Sequence, residues 1–265
     1  MIRTLCLILL LSALAFGQKP QPHTSAYTIG PSIQPLVIIG EGWSQQFTFI
    51  NVDYYQSGST VPEPTSGTLR FIRSDGVDWQ VPLKNYGTLS QIPVNLKPGQ
   101  MLSVETEVLN TPQILGWAIL DLPNSNSWGI YHSFTTFRKQ LTGRPDFLTS
   151  VPFVDGLEDE WIIPFDNRGG KYPGIGVVNT SNRGPTTYRF DAYDSDGNLR
   201  RTFIKTVAAM NLVWFSLVDE YPELAGIDGQ IKVTGGFLAS AAVTLQFAPN
   251  GAFTAIPVVH TYGIP

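Results

Sequence analysis

From Leu36 onward the chain is a succession of short runs of β-branched and aromatic residues, separated by clusters of Gly, Pro, Asn and Asp, with no sustained helical period. The clearest run lies at 101–107, where Leu102, Val104 and Thr106 alternate with Ser103, Glu105 and Glu107 and so set one face toward a core and the other toward water. On this pattern the first half predicts strands over 36–39, 46–52, 67–73, 77–83, 92–96, 101–107, 115–122, 129–138 and 146–153. Regular short strands with turn signals between them predict an all-β protein of the sandwich class, Ig-like or jelly-roll-like, nearly free of helix.

The pattern then runs a second time. FINVD at 49–53 corresponds to VVNTS at 177–181, TLRF at 68–71 to TYRF at 187–190, and SDG at 74–76 to SDG at 195–197 after a strand two residues longer. Two is an even number, so the extra residues leave every side chain on its original face. Gly116 and Gly229 each open a strand, Phe137 and Phe247 each sit near the end of the next, and FLTSVPFV at 147–154 aligns with FTAIPVV at 253–259 on Pro152 and Pro257. These anchors predict two tandem sandwich modules from an internal duplication, at 36–154 and 155–265. Each copy has the whole strand series and is expected to bury its own core and fold alone, with Leu69, Phe71, Phe190, Val243, Leu245 and Phe247 facing inward.

The second copy also carries a resemblance. PFDNRGGKYPGIGVVNTS, YDSDGN and LQFAPNGAFTAIPVV are similar to segments of a large group of uncharacterised exported bacterial proteins built from β-rich modules. The similarity covers the second copy nearly end to end and the first more loosely, because the first has GEGWSQQ where the second has FDNRGGKYPG. The resemblance implies a fold and an address, and no activity.

The address is also read from the N-terminus. Arg3, the apolar run from Leu5 to Phe16 and the small residues Ala15 and Gly17 predict a signal peptide over 1–17, cleaved after Gly17. That run is too short for the ~20 residues of a membrane-spanning helix, and no later run is long enough. Residues 18–35, rich in Pro, Gln, Ser and Thr, read as a flexible leader. The expected product is secreted or held at the cell surface. Its one cysteine, Cys6, lies in the signal, which excludes disulfides, thiol nucleophiles and thiolate metal sites from the mature chain. Charged residues are only 14% of the chain and acids outnumber bases by 21 to 17, so nothing offers an electrostatic footprint for nucleic acid.

Candidate chemistry is sparse. Asp194, Asp196 and Asn198 alternate around Gly197, with Asp191 three residues earlier, a set of oxygen ligands that a hard cation could use. The better reading of the same residues is a hairpin turn, in which Asp-Gly supplies positive φ, because the following residues bring no further acid. Asp155, Glu158, Asp159 and Glu160 read as a solvated connector. His23, His132 and His260 stand without a nucleophile elbow or a metalloprotease helix. Gly169, Gly170 and Lys171 precede a strand and not a helix, so they read as a turn and not as a phosphate loop.

The aromatics remain. Tyr54 and Tyr55 fall in one long connection of the first copy (54–66), Tyr86 in another (84–91), and Trp128 beside the polar loop NSNS; Trp79 stands in a hairpin arm. Exposed rings on sandwich loops suit a sugar or a protein surface. The sequence therefore predicts a non-enzymatic extracellular interaction or structural protein with no cofactor, engaging a protein or polysaccharide partner. A carbohydrate-binding protein using Tyr54, Tyr55, Tyr86 and Trp128 is the alternative, and a secreted hydrolase a distant one.

Overall fold

The computed structural model describes residues 32–51, 65–121, 131–140, 145–155, 160–235 and 239–260, and it is all-β. The first half holds β1 (Ser32–Ile39), β2 (Trp43–Asn51), β3 (Thr65–Arg73), β4 (Val81–Leu83), β5 (Gly87–Leu89), β6 (Gln91–Leu96), β7 (Met101–Glu105), β8 (Ile114–Asp121), β9 (Tyr131–Lys139), β10 (Phe147–Pro152) and β11 (Val154–Asp155). The second holds β12 (Glu160–Asp166), β13 (Tyr172–Asn179), β14 (Thr186–Asp194), β15 (Leu199–Val207), β16 (Leu212–Ser216), β17 (Asp228–Thr234), β18 (Ser240–Phe247), β19 (Phe253–Ile256) and β20 (Val259–His260). Helix among the described residues is one turn at Leu217–Glu220 and two 3-10 turns, Arg168–Gly170 and Pro222–Leu224.

Four antiparallel sheets carry the architecture. In the first half, sheet I runs β11-β1-β8-β3-β6 and sheet II runs β10-β9-β2-β7. In the second, sheet III runs β20-β12-β17-β14-β15 and sheet IV runs β19-β18-β13-β16. Counted from β1 and from β12, and leaving aside the small β4-β5 hairpin, the two halves have one strand order. Sheets I and II close on a cluster that includes Phe47, Phe49, Leu69 and Phe71, and sheets III and IV on one that includes Trp161, Ile175, Phe190 and Phe215.

A third cluster belongs to both halves. Ile38, Ile72 and Trp117 on the outer face of sheet I meet Val178, Leu212, Val243 and Leu245 on the outer face of sheet IV, and Phe253 of β19 packs on Trp43 with ring centroids 4.7 Å apart. The sheets thus stack in four layers, II, I, IV and III. Where they meet, the two inner layers are covered on both faces, and β1, β13 and β18 show it: Ile33 to Ile39, Pro173 to Asn179 and Ser240 to Gln246 are buried without a break. Strand β12, in an outer layer, alternates instead. Trp117 is fully buried in the seam and its indole N–H donates to the Met210 carbonyl at 3.0 Å, while Leu212 N–H donates to Ser74 O at 3.0 Å and Ala255 N–H to Thr149 Oγ1 at 2.8 Å. Gly174 explains itself here: a Cβ would come within 2.2 Å of the Trp214 ring laid against the sheet.

This double burial corrects the alternation reading of β18. Val243 and Leu245 face the other half and not their own core, to which β18 contributes Ala242; Phe247 joins the rim of the same seam. Two boundaries also move. Strand β1 begins at Ser32, inside the stretch read as leader, with a bulge between Gln34 and Val37 that accommodates Pro35, which has no N–H to give the ladder. Residues 77–80 form the exit of a turn, because Trp79 folds inward to 7% exposure and leaves only Val81–Leu83 as strand.

One repeated residue does the same work twice. Asn51 and Asn179 end β2 and β13, both buried, and each amide donates to the last carbonyl of the strand across the sandwich, Leu96 O at 3.3 Å and Val207 O at 3.1 Å. Each backbone N–H donates to the loop that follows that strand, at Gln100 O and Asn211 O. In the second half Tyr188 lies under Trp161 and its hydroxyl hydrogen-bonds Ser240 Oγ across the interior at 2.6 Å.

Replacing Trp117 with Ala should cost about 3–5 kcal/mol, as expected for a fully buried Trp. Because the ring serves both halves, urea unfolding followed by fluorescence and circular dichroism should remain one coincident transition shifted as a whole. Two transitions, with only the first-half one displaced, would show that the halves fold independently. A second expectation concerns alkali. Burial pushes the Tyr188 phenol up to about 12 despite its hydrogen bond to Ser240. The folded state therefore holds that proton more tightly than the unfolded chain, and the associated stability, complete below pH 10, is lost as pH rises toward 12. Melting temperatures of Tyr188→Phe should fall less steeply than wild type across pH 10–12; parallel slopes would rule out this phenol as the source.

Candidate functional site

Antiparallel connections alternate between the two ends of each sandwich, which separates the residues the sequence singled out. Tyr54, Tyr55 and Trp128 lie outside the described residues, but the strand ends that lead to them, Asn51, Thr65, Asp121 and Tyr131, lie together at one end. Tyr86 is at the other end, in the β4-β5 turn beside Leu83, which bridges to Thr106, and it is 47% exposed. Trp79 is buried in the first core, as are Trp43, Trp117 and Trp161 in their own surroundings.

The acidic constellation forms a hairpin turn. Asp194 N–H donates to Asn198 O and Gly197 N–H to Asp194 O, at 3.0 Å each. The Asp194 carboxylate accepts from the Asp196 and Asn198 backbone N–H groups, from the Asn198 amide and from Arg200 Nε at 2.6 Å, and these donors, the Asn198 backbone first, hold its carboxyl below the usual range. Asp191 points to the outer face of sheet III, where Arg189 grips both its oxygens and Thr202 donates to one of them. Asp196 is exposed at the tip. The oxygens of Asp191 and Asp194 are thus already supplied with donors, and among the described residues no group of three acidic, His or Cys side chains is disposed to hold a metal.

The stretch that opens the second half lines a concavity. In the first half the β1-β2 turn is pinned shut against 109–112: Glu41 N–H donates to Thr111 O and Gly42 N–H to Leu109 O, both at 2.9 Å. The β12-β13 connection is longer. It turns through Arg168–Gly170 with Gly169 and Gly170 at φ 63° and 75°, a conformation glycine reaches without strain. Opposite it, the β16-β17 connection carries the helical turn and the second 3-10 turn. Between them lies a half-open pocket of about 190 Å³, walled by Asn167 and Gly169–Tyr172 on one side and by Val218, Asp219, Ala225 and Gly226 on the other.

Its walls are held from both sides. Asn167, 2% exposed, donates its backbone N–H to Ile227 O and its amide to Leu224 O, both at 2.8 Å, and accepts from Gly226 N–H; its Oδ1 is buried without a partner. Behind it Asp166 binds Arg168 and Lys171, which hold its carboxyl well below the usual range, and Arg168 reaches on to Asp228. Tyr172 stacks on Phe247, centroids 5.2 Å apart and rings 16° from parallel. The sequence marked this loop only as a turn. The available signal was the mismatch between GEGWSQQ and FDNRGGKYPG, matched on the facing side by the extra residues of 217–227.

No protein-family model and no curated protein matches the chain. Among solved structures it is similar to a glycosyl hydrolase family 2 member from Bacteroides cellulosilyticus DSM 14838, at 11% identity and a TM-score of 0.20, over 91% of this chain and 30% of that one. A likeness at that score carries no argument about fold or activity.

Because Asp194 is saturated by internal donors, adding millimolar calcium or a chelator should leave the melting temperature unchanged. A rise that depends on calcium concentration and disappears in Asp194→Asn would restore the cation reading of the turn.

Proposed function

We propose that this chain is an exported, non-enzymatic interaction protein, made by internal duplication of one β-sandwich and acting outside the cell or on its surface. The observation that carries the reading is that the halves have one strand order but unlike connections. Shared strands answer to the fold, while binding on a rigid scaffold is usually placed on connections. The paired Asn51 and Asn179 bonds and the repeated sequence anchors support the duplication. The four-layer stack supplies the rigidity, since the third cluster ties one half to the other.

Carbohydrate binding is the second reading. It is favoured by exposed Tyr86 in the first half and by the pocket of the second, whose lining includes Tyr172. Tyr54, Tyr55 and Trp128, outside the described residues, remain its proposed partners.

Both readings meet in one experiment. The purified protein is titrated with a polysaccharide panel by calorimetry and incubated with the same panel while reducing ends are counted. Heat of binding without new reducing ends is the outcome expected of a carbohydrate-binding protein, and neither signal leaves the protein-partner reading in place. Release of reducing ends that scales with protein concentration would overturn the non-enzymatic proposal.

A further inference from the structure

We infer that strand β15 is a pairing edge for a second copy of this chain, so that sheet III of one molecule continues into sheet III of another through antiparallel β15 strands. The inference is independent of the ligand readings above. It starts from a difference between the halves. Strands β6 and β15 hold the same place in the strand order, and among the described residues each has one neighbour in its sheet, β3 and β14. An edge strand turns every second N–H and C=O away from its neighbour and offers them to another strand.

The first half closes that edge. Strand β6 has six residues and carries Pro93, which has no N–H to give, between exposed Gln91 and Asn95. Strand β7, which follows it, is covered at its end by the β4-β5 hairpin, where Lys84 N–H donates to Glu105 O at 2.8 Å and Glu107 N–H to Pro82 O at 2.9 Å. Strand β15 has neither device. Its nine residues include no proline, and its outer row, Thr202, Ile204 and Thr206, is exposed, Ile204 to 62%. Its inner row is occupied from its own molecule: Tyr221 stacks on Phe203 with ring centroids 4.1 Å apart, Glu220 binds Lys205 and Glu223 binds Arg201. Both cations of the edge are thus neutralised before a second copy approaches.

Charge then chooses the register. With Phe203 on the two-fold axis, Arg201 of one copy would stand opposite Lys205 of the other, and like charges directly opposite are destabilising. With Ile204 on the axis, Ile204 meets Ile204, Thr202 meets Thr206, and Arg201 and Lys205 stand opposite Val207 and Phe203. The exposed β-branched side chains then cover one another. Because the same patch is used on both molecules, the contact closes at a dimer.

The test uses the full chain and sedimentation velocity over micromolar to millimolar concentrations. Ile204→Lys sets two cations against each other on the axis from a position already in water. A second arm places Ile204→Cys on a chain whose one cysteine is removed as Cys6→Ser. Residues directly opposite on antiparallel strands have Cα atoms about 4.5–5.5 Å apart, a separation that a disulfide spans. Leu148→Cys on β10, also 62% exposed, is the control. The proposal expects a wild-type dimer that dissociates on dilution, association weakened at least about tenfold by Ile204→Lys, and disulfide-linked dimers from Ile204→Cys but not from Leu148→Cys. The cross-linking arm decides by itself if circular dichroism shows that Ile204→Lys has not folded. A wild-type chain that stays monomeric would overturn the inference, even where β15 takes up an extended segment of another protein. A dimer that a folded Ile204→Lys leaves intact, or that cross-links through Leu148→Cys instead, would overturn it as well.

Discussion

The constraint on which the rest depends is the seam between sheets I and IV, where β1, β13 and β18 have no solvent face. Each of these strands is covered by its partner sheet within one half and by the other half across the seam, so positions that a two-layer sandwich would give to water, among them Ile38, Val178 and Val243, are apolar here. Trp117, Val243 and Leu245 fill the seam, and Gly174 yields the space over which Trp214 lies. The polar groups caught there are paired across it, Trp117 with Met210 and Leu212 with Ser74. A buried N–H without a partner would cost more than the net gain of the bond it makes, so these contacts fix the angle and register of one half on the other as much as they stabilise it.

Within each half the strand order poses a different problem, which is to hold the ends of the two sheets at a common distance where loops leave. Asn51 and Asn179 solve it in the same way, with an amide spanning from β2 to β6 and from β13 to β15. An aliphatic side chain of that size could fill the space but would leave Leu96 O and Val207 O without that donor. A polar residue therefore stands at this buried position in both halves.

The fold was largely legible because its signals are local. Alternation in β7 and β12, Asp-Gly at the hairpins and Gly116 and Gly229 at strand starts each follow from backbone geometry within a few residues. What was not legible is what depends on a distant surface. Nothing near Val243 or Leu245 says which sheet covers them, and a strand buried on both faces carries no alternation from which to assign an inside. The turn reading of Asp194 could be derived because its donors, Asn198 and Arg200, lie within six residues. The pocket could not, since Asn167 meets its partners at Leu224 and Ile227, which the sequence places more than fifty residues away.

That separation also distinguishes the two halves. In the first half Glu41 N–H and Gly42 N–H of the β1-β2 turn bond directly to Thr111 O and Leu109 O. Both connections are longer in the second half, and a single residue, Asn167, makes three of the bonds that bridge them, two through its backbone and one through its amide. Lengthening a loop adds only ~0.6 kcal/mol of closure entropy per doubling, so the strands beneath tolerate it and the fold is undisturbed. The amide that bridges to Leu224 O with its N–H has its side-chain oxygen left over, buried without a partner.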